Sequence, residues 1–293
     1  MEVTILGLGG AGLGGIFGEV SDADGVAAVD KALELGMNWL DTSPYYFEAE
    51  RRMGLALRGV PRNRYYLSSK VGTHRERYLD YSADSTYWSV ENSLRTLGTD
   101  YLDICLIHDP LPRHLEQALG PGGSLEALLD LKQQGVIKAI GIGMQSHELI
   151  RQAIDTGQLD MALTVNDYTL LRQSVLSGVC DYAEPHGVGV VNGAALAMGL
   201  LSGRDPRSIG TFRWTPPKEE VDAAIQVYEW CKRRKINILA SALQFSLSQP
   251  RLSCTLIGAC SAKEVEECWS AATTPIDPEV WHELSRLLEE IRL

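Results

Sequence analysis

Four polar residues lie at or just beyond the ends of apolar runs that have the character of β-strands. Asp41 closes GMNWLD and is followed by TSPYY, which contains Tyr46; Lys70 closes RYYLSSK, and His108 stands near the end of DYLDICLIHD. In a parallel barrel the carboxyl ends of the strands meet at one rim, where such folds carry their chemistry. The spacing therefore predicts one site built from an acid, a phenol, an amine and an imidazole.

These four residue types suit proton transfer. A tyrosine phenol has an ordinary pKa of about 10, too high for an efficient base near neutrality, so a nearby cation must stabilise the phenolate. We expect Lys70 to be that cation and to lower the pKa of the Tyr46 phenol. We expect Asp41 to pair with Lys70 and keep it charged, and His108 to hydrogen-bond the substrate oxygen beside Tyr46.

Each residue also has a structural interpretation when it is taken alone. Asp41 could cap the following segment, Tyr46 could be a turn residue, Lys70 a solvated charge and His108 a satisfied strand histidine. Four independent coincidences at successive strand ends are improbable, and this favours the catalytic interpretation of the set. Tyr45 competes with Tyr46 for the role of the phenol.

The elements that position these residues alternate along the chain. Short runs rich in β-branched residues alternate with longer segments of helical period, which is typical of βα units and a parallel sheet. The pattern predicts an α/β fold, a parallel (β/α)8 TIM barrel, with residues 1–293 forming a single domain. The eight predicted strands are residues 3–7, 38–41, 65–70, 102–108, 139–143, 162–165, 188–191 and 255–257.

Helical periodicity fills much of the chain between these strands. Predicted helices include residues 22–35, 87–97, 125–134, 148–156 and 172–184, and glycines follow several of them, as helix ends prefer. Residues 202–218 carry three prolines and no periodicity. We interpret that segment as a long loop after the seventh strand, of the kind that often forms a lid.

Composition excludes several classes of function. The net charge of −11, without a basic run, argues against a nucleic-acid partner, and no apolar stretch is long enough for a membrane span. The N-terminus MEVTILGLGG lacks the positive lead of a secretory signal, so we expect a cytoplasmic protein. The six scattered cysteines form no CxxC pair, which predicts reduced thiols and no metal site.

Two sequence matches are set aside. GLGGAG at residues 7–12 fits GxGxxG, but a dinucleotide fold needs a helix to begin at once, whereas the sequence predicts further glycines and a loop here. Tyr66 and Lys70 fit YxxxK, but they fall early in the chain and inside a strand pattern. Strand alternation places both on one face, so we expect Tyr66 to be buried lower in the barrel.

The motifs GMNWLDTSPYY, SSK and LIHD, in this order and among eight βα units, closely resemble the aldo-keto reductase family. The similarity extends over nearly the whole chain and, through DTSPYY, LDYS, IHDP and DYTLL, is greatest to the aldose 1-dehydrogenase and L-galactose dehydrogenase branch. The resemblance implies a catalytic tetrad of Asp41, Tyr46, Lys70 and His108, and the family spacing selects Tyr46 over Tyr45. It also implies hydride transfer with a nicotinamide cofactor, NAD or NADP.

The chain departs from the family pattern where the cofactor would bind. Gly143 and Met144 replace the usual Ser and Asn after the fifth strand, Val165 replaces a frequent Gln, and Gly193 stands where many relatives have an aromatic that stacks on nicotinamide. The resemblance, with these departures, implies the following cofactor residues: Gly10, Ala11, Asp41, Met144, Gln145, Asn166, Leu196, Met198, Gly199, Leu200, Ser202, Gly258, Ala259, Cys260, Glu264 and Glu267.

Cofactor choice depends on the adenosine end. Cys260 and Glu264 occupy positions where relatives that prefer NADP carry basic residues, and a carboxylate favours a ribose diol over a phosphate. NAD is therefore the preferred cofactor, with Lys263 as the contrary feature; Glu264 and Glu267 could instead be first-turn helix acids. Rim positions predict substrate contacts at Phe17, Tyr45, Trp88, Asp109 and Trp214.

Three functions remain open at the level of sequence. The branch implies oxidation of the anomeric hydroxyl of an aldose to a lactone, with NAD as the acceptor. An NADPH-dependent reductase of aldehydes or ketones is the alternative, and a non-catalytic nicotinamide-binding regulatory subunit is the third. The partner in either enzymatic case is a small sugar or carbonyl compound, and the sequence leaves the oligomeric state open.

Overall fold

Eight parallel strands close into a barrel. The computed structural model describes residues 1–209 and 215–291. Each strand pairs with the next along the chain, and β8 pairs with β1, which confirms the predicted fold class. The strands are β1 Leu6–Gly9, β2 Trp39–Asp41, β3 Tyr66–Val71, β4 Leu102–His108, β5 Ile137–Gly143, β6 Met161–Val165, β7 Gly189–Gly193 and β8 Cys254–Ile257.

Alternation along the strands separates two apolar regions. Successive strand residues face opposite sides, so every second residue enters the barrel. One buried apolar cluster is formed by strand residues, among them Trp39, Ile104, Leu106, Met161 and Leu163. This cluster is separate from the larger one, which includes helix residues. By the same alternation Asp41 shares a face with Trp39, and His108 shares one with Leu106.

The helices surround the barrel. They are α1 Gly10–Leu13, α2 Asp22–Glu34, α3 Ala49–Ala56, α4 Ala83–Leu97, α5 Pro112–Leu119, α6 Ser124–Gln133, α7 His147–Ile154, α8 Asp181–Ala183, α9 Lys218–Arg234, α10 Ile238–Leu247, α11 Ala262–Thr273 and α12 Pro278–Glu290. Short 3-10 turns and one π-helical turn, Leu176–Cys180, join some of them.

Serine caps fix where several helices begin. The side chains of Ser21, Ser82, Ser146 and Ser261 each accept a hydrogen bond from the backbone N–H three residues later, at the starts of α2, α4, α7 and α11. Such a bond satisfies one of the free N–H groups of the first turn and typically stabilises a helix by about 1 kcal/mol. These caps end the barrel loops at defined residues.

Two predicted elements begin later than expected. The first strand starts at Leu6 instead of residue 3, because the Thr4 N–H donates to the Asn38 side chain, 2.7 Å away, and not to a strand. Residues 172–174 are not helical, because the Thr169 hydroxyl accepts the N–H groups of Leu171 and Arg172, at 3.1 Å each, and holds a turn. The π-helical turn begins at Leu176.

Two further expectations are wrong. A helix does begin at once after β1, at Gly10, although α1 has only 4 residues and the sheet is a closed barrel rather than a dinucleotide-binding sheet. Tyr66 is only partly buried, because its hydroxyl lies at the amino-terminal end of the barrel and accepts the Glu2 N–H at 3.3 Å. Of the predicted loop at residues 202–218, residues 210–214 lie outside the described part.

The six cysteines are free thiols, and all except Cys260 are buried. None of the helices in the described ranges is both long and apolar enough to cross a membrane.

Candidate active site

The four predicted residues meet at the carboxyl end of the barrel. Asp41 ends β2, Lys70 lies on β3, His108 ends β4, and Tyr46 follows β2 in the turn before α3. Lys70 Nζ is 2.6 Å from Asp41 Oδ2 and 4.8 Å from the centre of the Tyr46 ring. The Tyr46 and His108 rings are 5.8 Å apart and nearly perpendicular. An amine, a phenol and an imidazole thus face one space.

A buried hydrogen-bond chain orients Asp41 from below. Trp39 Nε1 donates to Ser68 Oγ at 2.9 Å, and Ser68 donates to Asp41 Oδ1 at 2.7 Å. Because Ser68 and Lys70 are two residues apart on β3, both enter the barrel. Neither Ser68 nor Trp39 stood among the predicted site residues, although this period-two spacing could have identified them.

Burial strongly affects the pKa values of the groups at the site. Burial alone would lower the pKa of Lys70, but Asp41 and the Tyr46 phenol outweigh it, so the pKa is raised and the ammonium form persists. Tyr46 is partly exposed as a residue, yet burial of its hydroxyl raises its pKa to about 12 despite the opposing charge of Lys70. Lys70 lowers the pKa of this phenol, as expected, but desolvation raises it by more, so the net pKa lies above its ordinary value.

His108 is neutral and held by hydroxyl groups. Burial and the charge of Lys70 place the pKa of this imidazole well below its ordinary value. Its Nδ1 lies 2.7 Å from Thr73 Oγ1 and 3.4 Å from Ser43 Oγ, whose oxygen already accepts the Tyr45 N–H. If these hydroxyls donate to Nδ1, the ring proton resides on Nε2, the tautomer that can donate to a substrate oxygen.

Glycines in the first loop let it pack directly on the site. A Cβ at Gly14 would lie 1.9 Å from the carbonyl oxygen of Tyr46, and one at Gly10 would lie 2.8 Å from that of Asp41. Arg52 holds the same loop by donating to the carbonyls of Leu13 and Val20, at 2.5 and 2.6 Å. The glycine-rich sequence therefore braces the backbone of two predicted catalytic residues.

Of the predicted substrate residues, two stand beside the tetrad. Tyr45 lies 6.2 Å from His108 between ring centres and stacks on Tyr78 at 5.7 Å, and Asp109 Oδ2 lies 3.4 Å from His108 Nε2.

The remaining predicted substrate residues lie elsewhere. Trp88 packs against His74 and Arg77 beside the loop after β3, with 4.4 Å between the two ring centres. Phe17 is 47% exposed and lies next to Gly258, which follows β8. Within the part of the chain that the structure describes, neither side chain contacts a tetrad residue. Trp214 lies outside the described residues.

The other half of the rim could receive a flat ring. Gly143, Gly193 and Gly258 stand at the ends of β5, β7 and β8, so no side chain projects there. Asn166, at the end of β6, donates to Glu220 Oε1 at 2.9 Å, and its own Oδ1 is a buried acceptor without a partner among the described residues. These features fit a cofactor that brings a planar amide-bearing ring.

Most of the predicted cofactor residues follow the strands of this half of the rim. The segment after β7 has left-handed backbone at Ala194, Ala197, Met198 and Gly199. The side chains of Met144 and Leu200 are buried, so these two residues could contribute only backbone groups. Of the other predicted residues, Gln145 follows β5, Leu196 and Ser202 follow β7, and Gly258, Ala259 and Cys260 follow β8, whereas Gly10 and Ala11 lie in α1 after β1.

At the adenosine end the two acids have structural partners. Glu264 accepts the Cys260 N–H at 2.8 Å, at the start of α11, and its other oxygen lies 3.9 Å from Arg204. Glu267 lies 3.7 Å from Lys263. Glu264 thus lies in the first turn of α11, and Arg204, which is not among the predicted site residues, is a cation near it.

Comparisons with known proteins agree with this geometry. The chain is 33% identical to an L-galactose dehydrogenase of Arabidopsis thaliana, over 100% of this chain and 92% of that protein. It is 25% identical to a D-threo-aldose 1-dehydrogenase of Pseudomonas sp, over 97% and 94%. These matches confirm the predicted resemblance to the aldose and L-galactose dehydrogenase branch.

A solved structure and a family model extend the match. The holo form of an aldo-keto reductase from Bacillus halodurans superposes with a TM-score of 0.77 at 25% identity, covering 99% of this chain and 93% of that one. The model of the Aldo/keto reductase family matches residues 5–289. The chain belongs to the aldo/keto reductase family of NAD(P)-dependent oxidoreductases.

Proposed function

We propose that this enzyme oxidises the anomeric hydroxyl of an aldose to a lactone, with NAD as the hydride acceptor. The observation that carries the proposal is the placement of Lys70, Tyr46 and His108 around one space, with Lys70 Nζ 4.8 Å from the Tyr46 ring centre. Similarity to an L-galactose dehydrogenase and a D-threo-aldose 1-dehydrogenase supports the substrate class.

The protein's own residues would manage the proton. The neutral His108 donates from Nε2 to the oxygen on the anomeric carbon and holds it beside the Tyr46 hydroxyl. Tyr46, as phenolate, accepts the hydroxyl proton while the C–H bond breaks and its electron pair leaves as hydride. The bound nicotinamide supplies the acceptor for that hydride. Lys70, kept charged by Asp41 at 2.6 Å, stabilises the phenolate.

In this step the anomeric carbon loses a hydride and its hydroxyl oxygen loses a proton, so a cyclic hemiacetal becomes a lactone. The step needs a phenolate, and a pKa of about 12 keeps Tyr46 mostly protonated near neutrality in the protein alone. Oxidation should therefore speed up as the pH rises.

The preference for NAD rests on charge at the adenosine end. Glu264 and Glu267 place two carboxylates there, and a carboxylate repels a ribose phosphate while accepting hydrogen bonds from a diol. Arg204 and Lys263 are the cations that would favour NADP instead. The ratio of kcat/KM for NAD and NADP measures the outcome, and Glu264→Gln should shift that ratio toward NADP.

One observation favours a second candidate, the reduction of aldehydes or ketones with NADPH. The protonated Tyr46, with its pKa of about 12, is a ready proton donor to a carbonyl oxygen. A third candidate, a non-catalytic nicotinamide-binding subunit, is opposed by the assembled set of proton-transfer groups.

A cofactor and substrate panel tests these candidates. Purified enzyme is given NAD or NADP with a set of aldoses at alkaline pH, and NADH or NADPH with simple aldehydes at neutral pH, while absorbance of the reduced nicotinamide is followed. The proposal expects formation of NADH with at least one aldose. A flat trace with every sugar, together with NADPH consumption by aldehydes, would favour the reductase. Absence of turnover in both directions, despite cofactor binding, would favour the third candidate.

A further inference from the structure

Asp109 is an acid that the proton-transfer scheme does not use. It follows His108 directly, and its Oδ2 lies 3.4 Å from His108 Nε2, the nitrogen assigned to the substrate oxygen. Its side chain is 59% exposed at the mouth, and no lysine or arginine forms an ion pair with it within residues 1–209 and 215–291. Its carboxylate is therefore open to a ligand beside the reacting position.

The backbone holds Asp109 in place at some cost. Its φ is +45°, in the left-handed region that non-glycine residues adopt only rarely, and its N–H donates to the Gly143 carbonyl at 3.0 Å. Left-handed residues that are not glycine cluster at functional sites, where the surrounding structure enforces them. The conformation aims the carboxylate along the rim, between His108 and open solvent.

The charge of Asp109 also reaches the catalytic groups. It raises the pKa of the Tyr46 phenol, and desolvation raises its own, although solvent access to the side chain limits this second effect. Since His108 is neutral, the 3.4 Å contact between the two residues is not an ion pair, and no side-chain hydrogen bond joins them. A substrate hydroxyl could displace this contact without breaking a strong interaction.

We infer that Asp109 recognises the hydroxyl group on the carbon next to the reacting carbon, and so selects hydroxylated aldoses over substrates that lack this group. The inference rests on the proposed function. His108 Nε2 fixes the reacting oxygen, and the carboxylate 3.4 Å from Nε2 is then adjacent to the neighbouring hydroxyl. An ionised acceptor binds a hydroxyl more strongly than a neutral one does, and a site built for a hydroxyl rejects an analogue without it.

The aromatic wall beside this carboxylate is consistent with a sugar. Tyr45 stacks on Tyr78, with ring planes 19° apart, and the Tyr45 ring also approaches His108. Aromatic faces cover the apolar face of a ligand while polar groups at its edge set orientation, which is the usual division of roles in a small-molecule site. Asp109 would supply the polar contact at that edge.

The test compares two sugars that differ in one hydroxyl. D-arabinose and 2-deoxy-D-ribose differ only at the second carbon, and kcat/KM is measured for both with NAD. The wild-type enzyme should prefer D-arabinose by about 10- to 100-fold, the range expected for one charged hydrogen bond. In Asp109→Asn this ratio should fall at least several-fold, because only D-arabinose loses a hydrogen bond, whereas any effect of the lost charge on Tyr46 is common to both sugars.

Two further variants serve as a second test of the side chain and as a charge control. Asp109→Gly removes the side chain and suits a positive φ, so it should fold and give the same collapse of the ratio. Glu76→Gln removes one negative charge from the loop after β3 without contacting His108, and should leave the ratio unchanged. A ratio that survives in both Asp109 variants would overturn the inference while leaving sugar oxidation intact. No oxidation of either sugar, or of any other aldose, by wild-type enzyme would instead overturn the proposed function.

Discussion

Lys70 and Asp41 form an ion pair inside the barrel, with 2.6 Å between Nζ and Oδ2 and side-chain exposures of 1% and 5%. Lys70 also donates to the Thr42 carbonyl at 2.7 Å, so the ammonium is fixed from two sides. These two contacts hold the Lys70 ammonium 4.8 Å from the centre of the Tyr46 ring. The buried ion pair therefore positions the charge that acts on the Tyr46 phenol.

Breaking this pair should destabilise the fold as well as the reaction. Lys70→Met leaves Asp41 buried and unpaired, and we expect a loss of about 3–5 kcal/mol in the free energy of unfolding, measured in urea. The Asp41→Asn/Lys70→Met double variant should recover part of that loss while remaining inactive. A single variant as stable as wild type would contradict the assigned burial of the pair.

Ser68 and Ser69 offer a matched comparison on opposite faces of β3. Ser68 donates to Asp41 Oδ1 at 2.7 Å, whereas Ser69 donates to the buried Glu50 at 2.6 Å. Each change to Ala should cost about 1–3 kcal/mol of stability, because each leaves a buried acceptor without its donor. Only Ser68→Ala should also lower kcat at saturating cofactor. Equal effects of the two variants on kcat would remove Ser68 from the site.

The pH dependence should differ between the two directions. Because the pKa of Tyr46 is raised to about 12, the phenol must lose its own proton before it can accept one from the substrate hydroxyl. We expect kcat/KM for oxidation to rise between about pH 7 and about pH 10, and for reduction to stay nearly flat over that range and fall only above it. Oxidation that is independent of pH across this range would contradict the proton role of Tyr46.

Thr73 should act on the reaction through His108. Thr73→Val keeps the shape but removes the hydroxyl 2.7 Å from Nδ1, which allows the ring proton to move there. We expect kcat/KM to fall about 10-fold, mainly through KM, since the substrate oxygen loses its donor. The ¹⁵N chemical shifts of His108 report the tautomer directly. An unchanged tautomer in the variant, with normal kinetics, would assign Thr73 a packing role only.

Much of the site could be predicted because it depends on local pattern. Strand β4 has the bounds predicted from DYLDICLIHD, and Asp41 and Lys70 end strand patterns in the sequence, so their meeting at one rim follows from parallel topology. The pairing of Lys70 with Asp41 also follows from their types and positions.

The remainder depends on three-dimensional burial, which a linear pattern does not give. The net pKa of Tyr46 depends on how strongly desolvation competes with Lys70, and the hydroxyl of Thr73 reaches His108 from another loop. The turn at residues 172–174 depends on one threonine hydroxyl that accepts two backbone N–H groups. Helical periodicity alone predicted a helix there.

The most direct test of the account is turnover by Tyr46→Phe beside Tyr45→Phe. The two tyrosines are adjacent, and only Tyr46 has its ring 4.8 Å from the Lys70 ammonium. Both variants should bind NAD as wild type does, measured by quenching of protein fluorescence. Tyr46→Phe should lose about 100- to 10,000-fold in kcat in both directions, whereas Tyr45→Phe should retain most of it. Wild-type kcat in Tyr46→Phe, or its loss in Tyr45→Phe alone, would contradict the account.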